Sequence, residues 1–367
     1  MNNTFGRILT VTLFGESHGT LTGAVIDGMP AGIRIDRERI AEEMDRRRAQ
    51  GMISTPRREA DVCEIVSGVY NGYSQGTPLT ILIRNTNAVH AEYDREHVIP
   101  RPSHGDYSSY VKYSGYSDRR GGGHLSGRLT APLCAAGAIC RMMLEEKGIF
   151  IGTHIRQLYD LVDREFADDV KSDIDTLNAM KFAVLDPEVS SEMLDRITQA
   201  KAENDSLGGI LETCIYGLEA GLGEPWFDSM ESLLAHAAFS IPGIKGIEFG
   251  NGFGLAGMKG SEANDSFALR NGKVITLTNR SGGINGGITN GMPVVFRTAV
   301  RPTPTIAQPQ KSVDLTAMKE CTLTVSGRHD PAFIHRARAV QDCMSAFVIA
   351  DLLLQRYGTE YFQGERR

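Results

Sequence analysis

The sequence lacks several features that would assign it to a class of protein. Its six cysteines form no Cys-x-x-Cys pair and no zinc-ligand spacing, a usage typical of reduced, buried thiols. No apolar run is long enough to span a bilayer, so we expect no membrane partner. The formal net charge of −6 is the wrong sign for a nucleic-acid-binding surface. The first residues show no basic region ahead of an apolar stretch, hence no secretory signal, and we expect a cytoplasmic protein.

The sequence does have the composition of a globular protein with many tight loops. Hydrophobic residues make up 41% of the 367 positions, and the 40 glycines follow no strict period. The length fits one large domain or two ordinary ones. Periodicity and turn residues predict helices over 37–48, 131–147, 187–206, 227–239 and 332–356, and strands over 7–14, 62–69, 79–83, 151–162, 208–218, 244–249 and 293–300. Residues 163–186 are charged and aperiodic, and we expect a variable surface segment there.

The stretch with the clearest chemistry is Asp118-Arg-Arg-Gly-Gly-Gly-His-Leu-Ser-Gly-Arg-Leu-Thr-Ala-Pro132. Three glycines allow positive φ and a close approach to a ligand. Ser126 and Arg128 follow, and we expect Thr130 to cap a helix. Free N–H groups, a guanidinium and a helix N-terminus suit an anion, whereas a tight turn into a core helix is the simpler alternative. Ser-Gly-Arg returns at 326–328 before another apolar helix, which favours the anion site and suggests two related halves.

Two further strings place functional side chains at the end of a predicted element. Ser17 and His18 lie on a glycine-bounded turn after a strand, where a solvated surface histidine is an equally good interpretation. Arg46, Arg47 and Arg48 end a helix, where their charges complement the helix dipole. Successive helical residues point in different directions, so we expect at least one of the three arginines to reach inward.

Two proline-containing loops add another histidine and two hydroxyls. Residues 101–107 hold His104 in an extended loop, where an ordinary loop histidine is the alternative. Residues 301–305, Arg-Pro-Thr-Pro-Thr, form a rigid loop with one cation. Cations in such loops, beside histidines and an aspartate, suit a small, multiply anionic ligand and proton transfer around it. With no P-loop or dinucleotide fingerprint, the residues alone predict an enzyme or a binding protein for a small phosphorylated acid.

Seven strings occur in a characteristic order and spacing along nearly the whole chain. They are Phe14-Gly-Glu-Ser-His18-Gly, Asp27-Gly-Met-Pro30, Arg46-Arg-Arg48, Arg101-Pro-Ser-His104-Gly-Asp-Tyr, Arg120-Gly-Gly-Gly, Ala135-Ala-Gly-Ala-Ile and Gly327-Arg-His-Asp-Pro331. In combination they resemble the chorismate synthase family. The resemblance implies a lyase that converts 5-enolpyruvylshikimate 3-phosphate to chorismate and phosphate by anti-1,4-elimination, the last step of the shikimate pathway of aromatic amino-acid biosynthesis.

The same resemblance implies a cofactor, a fold and an assembly. The family needs reduced FMN, although the reaction has no net redox change, and the reductant is either NADPH used by the protein itself or a separate reductase. The implied fold is α+β, a single-domain β-α-β sandwich over 1–367 with internal pseudo-two-fold symmetry and antiparallel sheets around central helices. The implied assembly is a homotetramer.

Site residues carry over from the resemblance position by position. His18 matches the histidine that protonates the departing phosphate, His104 the one beside the flavin, and Asp330 the aspartate involved in removing the substrate proton. The matched substrate contacts are Ser17, Arg47, Arg48, Ser126, Arg128 and Arg328. The matched FMN contacts are His124, Leu125, Ser126, Pro242, Gly243, Gly286, Arg301, Pro302, Thr303, Pro304, Thr305 and Arg328.

The chain departs from the family pattern in two places. His124 and Leu125 follow the triple glycine where Arg-Ser is commoner, and an arginine that often follows the triplet has no clear match in 49–54. These differences affect two anion contacts, and we expect His124 to replace one of them. The rival interpretations are another FMN-dependent oxidoreductase and a non-catalytic protein that binds a phosphorylated metabolite.

Overall fold

A computed structural model of the chain describes residues 3–49, 51–54, 61–86, 98–325 and 330–363. The α-helices are α1 Arg37–Arg46, α2 Asp106–Lys112, α3 Thr130–Glu145, α4 Val170–Ala179, α5 Pro187–Ala202, α6 Met230–Phe239, α7 Gly260–Ala263 and α8 Ile334–Tyr357. The strands are β1 Thr4–Phe5, β2 Thr10–Gly15, β3 Leu21–Asp27, β4 Glu64–Ser67, β5 Val69–Tyr70, β6 Tyr73–Ser74, β7 Leu79–Arg84, β8 Phe150–Leu158, β9 Leu161–Val162, β10 Gly209–Tyr216, β11 Ile244–Phe249, β12 Phe267–Arg270, β13 Lys273–Thr276, β14 Ile284–Asn285, β15 Ile288–Thr289, β16 Val294–Val300, β17 Gln310–Asp314 and β18 Lys319–Leu323.

Two five-stranded antiparallel sheets enclose a layer of helices. Their strand orders are β1-β2-β3-β7-β4 and β11-β16-β10-β8-β9. Helix α3 packs on the first sheet, α8 on the second, and the two helices pack against each other. At their crossing a Cβ on Gly137 would stand 2.4 Å from Cβ of Cys343, so only glycine allows this approach. The predicted α+β sandwich with central helices, including a buried α3 rich in small residues, is confirmed.

The two halves of the chain repeat one arrangement of elements. The first half runs β2, β3, α1, β4, β7 and α3, and the second runs β8, β10, α6, β11, β16 and α8. Within the sheets the order β2-β3-β7-β4 matches β8-β10-β16-β11. Helix α1 packs on α3 as α6 packs on α8. This correspondence is the internal pseudo-symmetry expected from the sequence.

One continuous cluster of buried apolar side chains joins both halves. It contains Ile26 and Ile81 from the first sheet, Leu211 and Phe296 from the second, and Phe347 from α8. We propose on this basis that the chain forms a single domain. No helix among the described residues has the length and apolarity to cross a bilayer.

The segment 163–186, expected at the surface, contributes to the interior. It contains α4, on which Ile174 and Leu177 are fully buried, and Asp163, whose carboxylate accepts hydrogen bonds from the N–H groups of Leu185 and Asp186. The many charged residues hid this apolar face from a search for periodicity. Its variability remains a prediction.

The start of α3 differs from the predicted cap. Thr130 is the first residue of the helix, because a 3₁₀ turn over Gly127–Leu129 precedes it. Ser126 caps that turn, and its hydroxyl accepts from the N–H of Arg128 at 3.2 Å. The capping function therefore lies four residues upstream of the expected position. Similarly, α2 replaces the end of the extended loop predicted over 101–107.

Candidate active site

A cleft of roughly 800 Å³ opens where corresponding ends of the two repeats meet. Arg47 at the end of α1 faces it, as do Ile241 to Gly243 after α6. Gly127 and Thr130 at the start of α3 face it, as do Phe333 and Arg336 at the start of α8. The pseudo-symmetry thus builds one site from equivalent positions of both halves.

Among the described residues of the cleft wall arginines outnumber aspartates, although the whole chain is acidic. The charged residues on it are Arg47, Arg101, Arg119, Arg301, Arg336, Asp106, Asp118 and Asp330. Five arginines therefore oppose three aspartates, against a net charge of −6 for the chain. Arginine presents a planar fork of donors that matches carboxylate and phosphate oxygens. This wall suits a ligand with several negative charges.

The glycine run forms a thin partition over His18. Gly121, Gly122 and Gly123 all adopt positive φ, which L side chains rarely tolerate. A Cβ on Gly121 would stand 2.0 Å from Cε1 of His18, and both Gly121 and Gly122 line the cleft. His18 is buried, and its Nδ1 lies 3.0 Å from the Ser17 hydroxyl. Glycine is therefore needed here for both conformation and space.

His104 lies on the wall, where its surroundings favour the neutral imidazole. Burial, then the Arg101 cation, lowers the pKa of His104 to about 4. Its Nε2 hydrogen-bonds to the Thr305 hydroxyl, and Arg301 donates to the Ser103 carbonyl at 2.8 Å. The 301–305 loop and the 101–107 segment are therefore held together, as two loops predicted to serve one ligand should be.

Arg47 is fixed from behind by a shared carboxylate. Its NH2 donates to Asp61 at 2.8 Å and its NH1 to Thr130 at 3.3 Å. Arg128 donates to the other oxygen of Asp61, and to the Asn85 side chain at 3.0 Å. Burial alone would raise the pKa of Asp61, but the two guanidinium groups outweigh it and lower that pKa. Asp61 thus orients Arg47 toward the cleft.

Asp330, predicted to take part with the flavin in removing the substrate proton, also lies on the wall. Arg336, three residues into α8, donates to its Oδ2 at 2.6 Å. The Nε of Arg336 donates to the carbonyl of Arg47 at 3.0 Å. One side chain thus connects the start of α8 with the end of α1.

Ten of the predicted site residues line the cleft. They are Arg47, His104, Leu125, Ser126, Pro242, Gly243, Arg301, Thr303, Pro304 and Asp330. Ser17, His18, Pro302 and Thr305 lie next to these residues in the chain or behind the glycine run. Arg328 lies outside the described residues.

Four predicted contacts lie elsewhere, each for a visible reason. Arg48 forms an ion pair with Asp45 at 3.1 Å on its own helix. Arg128 lies behind Asp61, so it supports the wall without lining it. His124, expected to replace an anion contact, instead donates from Nδ1 to the Gly15 carbonyl at 2.8 Å. Gly286 forms the turn between β14 and β15.

Sequence reasoning missed three arginines of the wall, namely Arg101, Arg119 and Arg336. Arg101 could have been found, because it stands three residues before His104 in the same string. Arg336 offered no local signal apart from being a cation in the first turn of a helix, where the helix dipole disfavours it.

Known proteins match this chain over nearly its full length. The chorismate synthase family model matches residues 9–354. Chorismate synthase from Thermococcus gammatolerans is 43% identical over 355 residues, which cover 97% of this chain and 98% of the relative. The enzyme from Methanosarcina mazei is 42% identical over 354 residues, covering 96% of each chain.

A solved structure gives the same result. A crystal structure of chorismate synthase superimposes with a TM-score of 0.76 at 29% identity, covering 96% of this chain and 94% of that one. The sequence matches and the shared fold extend over nearly the full length. This chain is therefore an enzyme that belongs to the chorismate synthase family, whose members are lyases of aromatic amino-acid biosynthesis.

Proposed function

We propose that this protein converts 5-enolpyruvylshikimate 3-phosphate to chorismate and phosphate by anti-1,4-elimination, with reduced FMN bound in the same cleft. One observation carries the proposal. Five arginines, His104 and Asp330 share the cleft wall, and the glycine run on that wall separates it from His18 by a single residue. Anion binding and proton transfer are therefore available in one site.

The cleft wall fits a flavin mononucleotide together with a substrate. The volume of the cleft, roughly 800 Å³, is in the range of sites for ligands of this size. Ile241, Leu125 and Phe333 give apolar surface for a planar ring, and the arginines suit the phosphate. The Thr303 hydroxyl is buried on this wall with no partner among the described residues, which leaves a hydroxyl for a bound ligand. When bound, reduced FMN would supply electron density to the centre that becomes electron-poor as phosphate departs.

The arginines of the wall other than Arg336 would hold the substrate through its two carboxylates and its phosphate. Arg47 is the best placed, because it lines the cleft while Asp61 and Thr130 hold its NH2 and NH1 in position. Two held ends would align the carbon–hydrogen and carbon–oxygen bonds that break. Because the bound substrate is already aligned, the reaction does not need the loss of entropy that it would need in solution.

Proton transfer divides between the two ends of the substrate. Asp330 would accept the ring proton, the new double bond would form, and the carbon–oxygen bond to phosphate would break. His18 would donate a proton to the departing phosphate and recover one from solvent. His104, with a pKa of about 4, is neutral at pH 7, so it would serve as a hydrogen-bonding group that orients the flavin.

The decisive experiment is anaerobic. Purified protein, dithionite-reduced FMN and 5-enolpyruvylshikimate 3-phosphate are mixed, and chorismate absorbance and phosphate release are followed together. We expect both products in equal amounts, and none with oxidised FMN. Binding of both ligands without either product would favour the metabolite-binding alternative, whereas NAD(P)H turnover with a separate acceptor would favour an ordinary redox flavoprotein.

Three further expectations belong to this proposal. They are a homotetramer, a cytoplasmic location, and NADPH as one of two candidate sources of electrons for FMN. The NADPH question is answered by the same assay with NADPH in place of dithionite, since only a protein that reduces its own FMN would then form chorismate.

A further inference from the structure

We propose that Arg336 is a positioning residue for the elimination, which sets the direction of the Asp330 carboxylate and connects it to the end of α1. The part that concerns catalysis rests on the proposed function of Asp330. The geometric part concerns only two side chains and a backbone carbonyl, and can be tested separately.

Two hydrogen bonds to different elements hold the Arg336 guanidinium. Its NH1 donates to Asp330 at 2.6 Å and its Nε to the Arg47 carbonyl at 3.0 Å. Two donors of the rigid fork are therefore committed to acceptors on different elements. A fork held at one edge fixes the direction in which its other N–H groups, and hence the bound carboxylate, point.

Asp330 lies outside the helix it precedes. Asp330 comes four residues before Ile334, the first residue of α8, so no helical turn fixes its side chain. Arg336, in contrast, is the third residue of that helix, and the side chains around it are buried. The carboxylate therefore takes its orientation from a partner on a rigid element.

The position of Arg336 in the first turn of α8 is electrostatically unfavourable for a cation. The first turn of α8 contains no acidic residue, and Arg336 adds a positive charge to the positive end of the helix dipole. Arg336 also contributes, after burial, to the lowered pKa of Arg47, which shows that two guanidinium groups lie close together. A residue that violates two electrostatic preferences at a site is typically retained for its function.

The geometry also separates Arg336 from Arg47 in function. The committed donors of Arg336 hold Asp330 and the Arg47 carbonyl, whereas those of Arg47 hold Asp61 and Thr130, which have no predicted part in proton transfer. Loss of Arg336 should therefore reduce the rate of the chemical step, and loss of Arg47 should reduce affinity.

The test compares Arg336→Ala and Arg336→Lys with wild type under anaerobic conditions with reduced FMN. We expect Arg336→Ala to lower kcat about a hundredfold, the cost of a misplaced catalytic group, and to change KM less than about threefold. Added free guanidinium should raise the kcat of Arg336→Ala at least tenfold. Arg336→Lys, which keeps the charge without the fork, should be intermediate and serves if the alanine variant does not fold.

Arg39→Ala is the matched control. Arg39 also forms a close ion pair, since its NH2 donates to both carboxylate oxygens of Glu145 at 2.8 and 3.2 Å, but it does not line the cleft. It should show neither the kcat loss nor the rescue. If Arg336→Ala changes KM alone, or if guanidinium does not rescue its kcat, the catalytic part of the proposal is overturned.

A measurement that needs neither FMN nor turnover tests whether Arg336 orients the Asp330 carboxylate. Crystal structures of flavin-free wild type and Arg336→Lys should differ in the side-chain torsion of Asp330. An unchanged Asp330 would overturn this part whatever the kinetics. If wild type itself makes no chorismate, the proposed function fails, and the torsion comparison still decides whether Arg336 orients Asp330.

Discussion

Arg46 and Arg47 are neighbours at the end of α1, yet they belong to clusters of opposite character. Arg46 points into the core, where it and Arg141 share the carboxylates of Glu43 and Asp342. In these ion pairs two cations match two anions, and the nearby, fully buried Arg338 donates instead to the backbone carbonyls of Leu177 and Met180. Arg47 points to the cleft, where it shares Asp61 with Arg128.

The cleft cluster is not balanced. Among the described residues, three arginines meet two aspartates when Arg336 and its partner Asp330 are counted, and three further arginines on the wall face only Asp106 and Asp118. A balanced buried cluster fixes how helices α1, α3 and α8 meet. The ion-paired arginines of the core are matched one for one by carboxylates, whereas arginines outnumber carboxylates at the cleft, where an anionic ligand can bind.

The largest expected effect comes from breaking the balanced cluster. Asp342 is fully buried and accepts from Arg46, Arg141 and, at 2.6 Å, the Thr153 hydroxyl. We expect Asp342→Asn to lower the free energy of unfolding by about 3–5 kcal/mol, because buried cations lose their compensating charge. Urea denaturation measures the change.

The control for this variant is Asp175→Asn. Asp175 pairs with Lys171 on the exposed face of α4, at 2.5 Å. Its replacement should lower the free energy of unfolding by less than about 0.5 kcal/mol. A similar loss in both variants would mean that burial does not distinguish the two pairs.

The next largest effect comes from the unbalanced cluster. We expect Arg47→Met to weaken binding of 5-enolpyruvylshikimate 3-phosphate to the flavin-free protein about a hundredfold, which equals about 2.7 kcal/mol, the value of a buried charged hydrogen bond. Isothermal titration calorimetry measures the affinity. Arg48→Met is the matched control, since Arg48 pairs with Asp45 away from the wall. Equal losses in the two variants would contradict the assignment of Arg47.

The smallest effect concerns pH. Burial, then the Arg336 cation, lowers the pKa of His335 to about 3. Since the unfolded chain binds this proton near pH 6.5, the native state loses stability as the pH falls below 6.5, by about 1 kcal/mol between pH 7 and 5.5. The expected result is that His335→Gln removes that part of the slope in chemical denaturation curves.

His154, in the second sheet, provides the opposite sign. Burial opposes its charge, but hydrogen bonds to Asp163 and Glu212, at 2.6 and 3.1 Å, outweigh burial and raise its pKa. Its contribution is present below pH 6.5 and is lost as the pH rises through its folded pKa. His154→Gln should therefore destabilise the protein more at pH 6 than at pH 9. Parallel pH curves for the His154 and His335 variants would show that the surrounding charges do not set these pKa values.

The sequence predicts the parts of this molecule that depend on local chemistry. Small residues in α3 and the glycine run before it follow from the amino acids themselves, and strand 244–249 has the predicted bounds. The repeated Ser-Gly-Arg string correctly indicated two related halves. These features need only steric and periodic rules.

The rest depends on contacts between residues far apart in the chain. Which arginine of the triplet faces the cleft depends on the rotation of α1 against α3 and α8. That Arg128 supports Asp61, 67 residues away, and that His124 binds the Gly15 carbonyl, 109 residues away, follows only from the packed structure. Arg336 was missed for the same reason, because its partner on α1 is 289 positions away.

The repeat that builds the cleft has a consequence for how a ligand can enter it. Two identical repeats would present the same wall twice, and an unsymmetrical molecule could then bind in either of two opposite orientations. Here the end of α1 presents Arg47, whereas the equivalent end of α6 presents Ile241, Pro242 and Gly243. Divergence of the two repeats thus gives the cleft a cationic side and an apolar side, and leaves one orientation favoured.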